Sequence, residues 1–361
     1  MSSVTRRCEE LRKKQPRGGY IPPNQMPCQV LHDNVELAEK ENISPALVGI
    51  AVDYLVRFMI DLEATIDENK LKEYQKIDSL PVSKKKMSLK LLHRLCVAEN
   101  SFRISLMGAE ILESTGEEGA SETAANLLMQ INGLDDKSII SACKLSGYDV
   151  CLRAAVACYK PVEEINPDDA TIENVRKMVK RSIEFFQKNG PIIETGITFE
   201  GGYTDVVDSG DGDYLTEDTI WDLKVSKYPL TKEITLQLLM YYLMGKHSKK
   251  DIYKKVKYIG IYNPRQNCVY KLAIKDISPA VIEAVEVDVI GYKPKRKSKN
   301  EMDIIDRLSV LKQCYTREEL AKRLGVSVTT IGKWKKSGPL PSTQRAVDIS
   351  RLYEKLEKLF K

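Results

Sequence analysis

Between Glu194 and Lys224 the chain carries nine carboxylates (Glu194, Glu200, Asp205, Asp208, Asp211, Asp213, Glu217, Asp218 and Asp222) and one basic residue, Lys224 itself. Turn chemistry accounts for Asp208, Asp211 and Asp218, since aspartate hydrogen-bonds its own backbone in turns. It does not account for Asp222. The run Ile220-Trp221-Asp222-Leu223-Lys224-Val225 alternates as a strand does. Trp221, Leu223 and Val225 therefore share one face, and Asp222 and Lys224 project together from the other. Carboxylate oxygens hold hard divalent cations, and such a cation makes a bound water nucleophilic. A lysine beside it orients that water or meets charge that develops in the transition state. Phosphodiester hydrolysis uses all three. On the next helix Gln237 precedes Tyr241 by four residues, so both lie on one face and can converge on the same point.

The elements around these residues follow from patterning. A helix is expected over about 170–188, capped by Asp168 or Asp169, with Ile172, Val175, Val179, Ile183 and Phe186 on one face. Short strands are expected at Gly196–Val207, Asp213–Leu215 and Thr219–Val225, then a helix over about 231–245. Strands at Val256–Tyr262 and Cys268–Ile274 flank the turn Asn263-Pro264-Arg265. The order is helix, three strands, helix, two strands. Upstream, residues 31–160 read as helical, beginning at the cap signal Ser44-Pro45. Further helices are expected near 88–114, 121–132, 136–146 and 149–158. Residues 1–30, rich in Arg, Lys, Pro and Gly, read as a mobile basic arm.

Gly-x-x-Asp, then Asp-x-Lys, then Gln-x-x-x-Tyr resembles the PD-(D/E)xK nuclease superfamily, in particular its RecB-type and lambda-exonuclease-like branch, over about residues 170–275. The resemblance implies a restriction-endonuclease-like α-βββ-α-ββ core at 161–290. It also implies Mg²⁺ or Mn²⁺ as cofactor, Asp222 as a metal-binding acid, Lys224 as the catalytic lysine, and Gln237 with Tyr241 as the pair that marks the branch. Two positions fit the upstream metal acid, Asp205 in Gly202-Tyr203-Thr204-Asp205 and Asp213 in Gly210-Asp211-Gly212-Asp213. Asp213 is favoured because it opens a strand that turns directly into the Asp222 strand. The helix acid of the family has Glu173 and Glu184 as candidates.

The charge is unevenly spread. The last 71 residues hold 18 Lys and Arg against 8 Asp and Glu, whereas the preceding 290 hold 38 against 43. A basic tail on a mildly acidic body suits a polyanionic partner, because nucleic-acid affinity is largely phosphate electrostatics. After a basic linker at 291–303, Thr316–Leu324 and Ser327–Lys336 read as two capped helices joined at Gly325. Ala321, Gly325, Ile331 and Trp334 have the spacing at which two such helices pack. Residues 304–361 resemble the Cro/repressor-type helix-turn-helix, which implies that Thr329, Thr330, Lys333 and Lys336 face a DNA groove. The final helix, Thr343–Phe360, is expected to pack on this module or to pair with a second chain, as in a homo-oligomer.

Composition removes other classes. The most apolar stretch, Ala46–Ile60, contains Asp53 and Arg57 and falls short of the roughly 20 apolar residues of a membrane span. No secretory signal follows the basic N-terminus, so the expected compartment is the cytoplasm. Eight cysteines without a Cys-x-x-Cys pair speak against a disulfide framework, a zinc ribbon or a clustered iron–sulfur site. The Gly-x-x-x-x-Gly-Lys-Ser/Thr phosphate loop is absent, so no intrinsic ATPase is expected. The expectation is a metal-dependent deoxyribonuclease docked on duplex by its helix-turn-helix. The alternative is a non-catalytic DNA-binding regulator on the same scaffold.

Overall fold

Residues 2–10 already belong to the folded body. In the computed structural model, which describes residues 2–64, 68–76, 84, 87–293, 304–334 and 341–359, β1 (Ser2–Ser3) leads into α1 (Val4–Glu10). Val4 and Cys8 are buried there, and Ile21 and Met26 follow them into the same core. β2 (Cys28–Val30) then pairs with the edge of the main sheet. The mobile arm expected over 1–30 is therefore corrected. Most of its arginines and lysines lie on the solvent side, while Val4, Cys8, Ile21 and Met26 point inward.

Among the described residues, seven α-helices come next: α2 (Pro45–Glu63), α3 (Glu68–Tyr74), α4 (Leu89–Ser101), α5 (Arg103–Ser114), α6 (Ala120–Met129), α7 (Asp136–Leu145) and α8 (Asp149–Arg153). The Ser44 hydroxyl accepts from the Ala46 amide, and Pro45 takes the first helical position. The long helix expected over 88–114 breaks at Phe102, whose buried ring packs edge-on against Tyr54. The helix expected over 149–158 ends at Arg153. Residues 31–43 contain no helix.

α9 (Asp169–Lys188), capped by Asp168, opens the mixed part of the fold. It is followed by β3 (Ile192–Ile197), β4 (Val207–Ser209), β5 (Gly212–Thr216) and β6 (Thr219–Leu223), then α10 (Lys232–His247). β7 (Tyr258–Asn263) and β8 (Cys268–Ala273) form an antiparallel hairpin, and α11 (Pro279–Ala284) continues into a helical turn over Val285–Ile290. The six-stranded sheet runs β2-β8-β7-β6-β5-β3, with β6 and β7 parallel and the other neighbours antiparallel. The parallel pair requires a crossover, and α10 supplies it. The strand expected at Gly196–Val207 is corrected. Pairing stops at Ile197, and the short β4 leaves the sheet to pair with β1.

Strand alternation sorts the core into two layers. Tyr214, Trp221, Leu223, Tyr262 and Val269 face α2, α4–α7 and α9, whereas Leu215, Ile220, Ile259, Ile261 and Leu272 face α10, α1 and Val285–Ile290. The helices and the sheet thus form one unit that ends at Tyr292, not separate bodies at 31–160 and 161–290. The helices cannot detach without exposing a whole sheet face. Gly260 lies beside Trp221 in the register, and a methyl group there would come within 2.3 Å of the indole.

The second unit, 293–361, contains α12 (Ile304–Cys314), α13 (Arg317–Leu324), α14 (Val328–Lys333) and α15 (Thr343–Leu359) around Leu308, Leu311, Leu320, Leu324, Ile331 and Ile349. Ile349 and Leu356 of the final helix are buried in this core, so it packs on its own module. Most of the linker expected at 291–303 lies outside the described residues. Among the described residues, no helix is long and apolar enough to cross a membrane.

Candidate active site and helix-turn-helix surface

β6 is central in the sheet and all five of its residues are buried, Asp222 among them at 3% exposure. Lys224 Nζ sits 3.0 Å from Asp222 Oδ1, to which it donates, and 2.9 Å from Oδ2. The buried Oδ2 makes no geometrically formed hydrogen bond among the described residues. Burial alone would lower the Lys224 ammonium, but the Asp222 and Asp213 carboxylates outweigh it and hold it above the ordinary lysine value.

Asp213, on the adjacent strand β5, shares this face. Its Oδ2 accepts the Leu223 amide at 2.7 Å, and its Oδ1 accepts from Arg57 at 3.0 Å. Burial, then the charges of Asp53 and Asp222, push its carboxyl up to about 7 against the pull of Arg57 and Lys224. Asp205 is placed differently. It is exposed in the turn before β4, where the Thr204 hydroxyl takes the backbone amides of Val206 and Val207.

Across from the acids, Gln237 Nε2 donates to the Tyr241 hydroxyl at 2.9 Å and reaches Thr5 Oγ1 of α1 at 3.3 Å. Burial, reinforced by the charges of Asp222 and Asp213, holds the Tyr241 phenol well above its ordinary value, so it remains a proton donor. Asp222, Lys224, Asp213, Gln237 and Tyr241 therefore gather on the α10 side of the sheet, and Asp205 stays outside the group.

Sequence reasoning missed the contribution of α2. Arg57 bridges Asp53 at 2.8 Å and Asp213 at 3.0 Å, with both pairs largely shielded from solvent. The Tyr214 hydroxyl donates to Asp53 Oδ1 at 2.9 Å. The register of β3 on β5 puts Gly196 beside Asp213. Gly196 has φ +58°, and a side chain there would crowd the Arg57 guanidinium at 3.1 Å. The signal in the sequence was an acid and an arginine four residues apart inside an otherwise apolar helix. The two helix-acid candidates are elsewhere, with Glu173 paired to Arg176 and Glu184 exposed. Among the described residues, no three His, Cys, Asp or Glu side chains gather as a ready ligand set.

In the second unit Thr316 and Glu319 form a reciprocal capping box at the start of α13. Gly325, at φ +59°, ends that helix in the left-handed conformation that glycine adopts without strain. Ser327 then caps α14 and shares its hydroxyl with Thr329 and Thr330 at 2.8 Å each. Ala321, Ile331 and Trp334 are buried between the helices. Thr329 and Lys333 are exposed on α14 and Thr330 is half-buried, while Lys336 lies outside the described residues.

Comparison with curated proteins and with solved structures gives no match for this chain. A family model described as Helix-turn-helix matches residues 311–357. The C-terminal module is accordingly a helix-turn-helix of the Cro/C1 type, a DNA-binding class.

Proposed function

We propose that this chain is a divalent-metal-dependent deoxyribonuclease of the PD-(D/E)xK kind, brought to DNA by its helix-turn-helix. The observation that carries this reading is the pairing of Asp213 and Asp222 from adjacent strands, with Lys224 beside them and the Gln237–Tyr241 pair opposite. The order α9, β3-β5-β6, α10, β7-β8 supports it. Asp222 Oδ2 is buried beside the Lys224 ammonium at 2.9 Å and makes no geometrically formed hydrogen bond among the described residues, so a carboxylate oxygen remains on this face for a hard cation. Asp213 and Asp222 are therefore the residues that would hold Mg²⁺ or Mn²⁺, with waters filling the remaining positions. When bound, such an ion supplies an activated water and neutralises charge on the scissile phosphate. Lys224, held protonated, would donate toward the attacked phosphate or its water. Tyr241, fixed by Gln237, keeps a donor on the opposite wall.

A second reading, a non-catalytic DNA-binding regulator, is favoured by one observation: Arg57 and the Leu223 amide already occupy both Asp213 oxygens. Incubation with linear and circular DNA in Mg²⁺, Mn²⁺ or EDTA separates the two. Cleavage that needs the metal supports the nuclease. Intact DNA in every condition at high enzyme concentration supports the regulator.

A further inference from the structure

The loop from Lys224 to Thr231 joins the acid strand β6 to α10 and carries Tyr228, 79% exposed and the most exposed large apolar side chain among the described residues. Exposed tyrosines usually sit on loose loops, but this loop is braced. The Ser226 hydroxyl accepts the Tyr228 amide at 3.0 Å and donates to the Tyr228 carbonyl at 3.3 Å. Asn263 donates to the Ser226 carbonyl at 2.8 Å, and Gln266 to the Lys227 carbonyl at 3.0 Å. Pro229 restricts the backbone on the other side. The phenol ring is thus presented to solvent from a fixed backbone, and the packing of the fold does not use it.

The N-terminal segment packs on the first turn of α10, next to this loop in the chain. Gly19 packs against the start of the Lys232 side chain, and Arg12 Nε lies 3.8 Å from Glu233, both in the first turn of α10. This segment exposes Arg6, Arg12, Lys13, Lys14 and Arg17, with Glu9, Glu10 and Glu233 as the acids nearby. α1 reaches on to Gln237 through Thr5. An exposed basic rim and a rigid aromatic ring therefore flank the carboxyl end of β6, the side on which sheets with parallel crossovers receive ligands.

We propose that Tyr228 and the basic turn Arg12–Arg17 form a receiving surface for single-stranded DNA beside the acid cluster. This rests on the nuclease reading only in naming what the strand is led toward. Phosphates suit the basic rim, and a protruding ring can stack only on a base already free of its helix, since duplex bases are closed to it. The surface therefore selects single strands or frayed ends. The helix-turn-helix holds duplex.

The test is fluorescence anisotropy of the full chain in EDTA, with an oligo(dT) strand and a closed DNA hairpin as probes. Tyr228→Ala is expected to weaken oligo(dT) binding about 5- to 150-fold, the range of one lost base–aromatic stack. Tyr228→Phe should bind like the parent, and hairpin affinity should hold for both. The double change Lys13→Ala, Lys14→Ala should flatten the salt dependence for oligo(dT) by about 1.4 in log–log slope. The binding is read in EDTA without cleavage, so loss of the nuclease reading would leave this result standing. Unchanged oligo(dT) affinity in Tyr228→Ala, or an equal loss for both probes, would overturn the proposal.

Discussion

Arg57 and Asp213, 156 residues apart, are joined by a hydrogen-bonded ion pair of 3.0 Å. The helical half, which carried no recognisable chemistry as sequence, thus supplies the counter-charge of the acid cluster. Removing one partner of a shielded ion pair leaves the other charge buried and uncompensated, at a cost of about 3–5 kcal/mol. Arg57→Met should destabilise the first unit by that amount in urea unfolding. Arg57→Lys should recover only part of it, because one ammonium does not reproduce the fork that spans Asp53 and Asp213.

Asp213 sets a pH dependence. Its carboxyl is raised from 3.8 to about 7 in the fold, so the folded state binds this proton more tightly than the unfolded chain. Its contribution to stability is therefore fully present below pH 3.8, declines as pH rises through this window, and is level above about 7. A divalent cation favours the ionised form, so its affinity should rise with pH up to about 7 and its binding should release protons below that. Calorimetry of Mn²⁺ binding in two buffers of different ionisation enthalpy measures this release. Asp213→Asn should abolish metal binding, and Asp205→Asn should leave it nearly unchanged.

The helix-turn-helix makes separate predictions. Lys333 is exposed on α14, so Lys333→Ala should weaken duplex binding and reduce the log–log salt slope by about 0.9 if it contacts one phosphate. Ile331 is fully buried, and Ile331→Ala should cost about 2–5 kcal/mol of module stability. Deleting residues 293–361 should remove most metal-independent duplex binding in a gel-shift titration at matched salt.

Legibility of the fold followed the strength of local patterning. α9, the β5–β6 hairpin, α10 and β7–β8 were readable because alternation, caps and turns agree there. The capped pair α13 and α14 was readable because Thr316, Gly325 and Ser327 mark its ends. The N-terminal segment was misread, since its few buried apolar residues, Val4, Cys8, Ile21 and Met26, are widely spaced among polar, charged and proline residues. The Gly196 strand was placed too late because a glycine at positive φ lies inside the pairing, not at its end. The contacts of Asp222 with Lys224 and of Gln237 with Tyr241 were legible by spacing. Asp53 and Arg57 were noticed only as charges in an apolar helix, because a partner 156 residues away leaves no local pattern.

The most direct measurement is a cleavage time course on linear DNA with Mg²⁺ or Mn²⁺, comparing the parent chain with Asp222→Ala and Lys224→Ala at matched folded concentration. The account predicts metal-dependent cutting by the parent and a fall of about 10²–10³-fold or more in each variant, with circular dichroism unchanged. Cutting by Lys224→Ala at the parent rate, or no cutting by the parent in either metal, would contradict it.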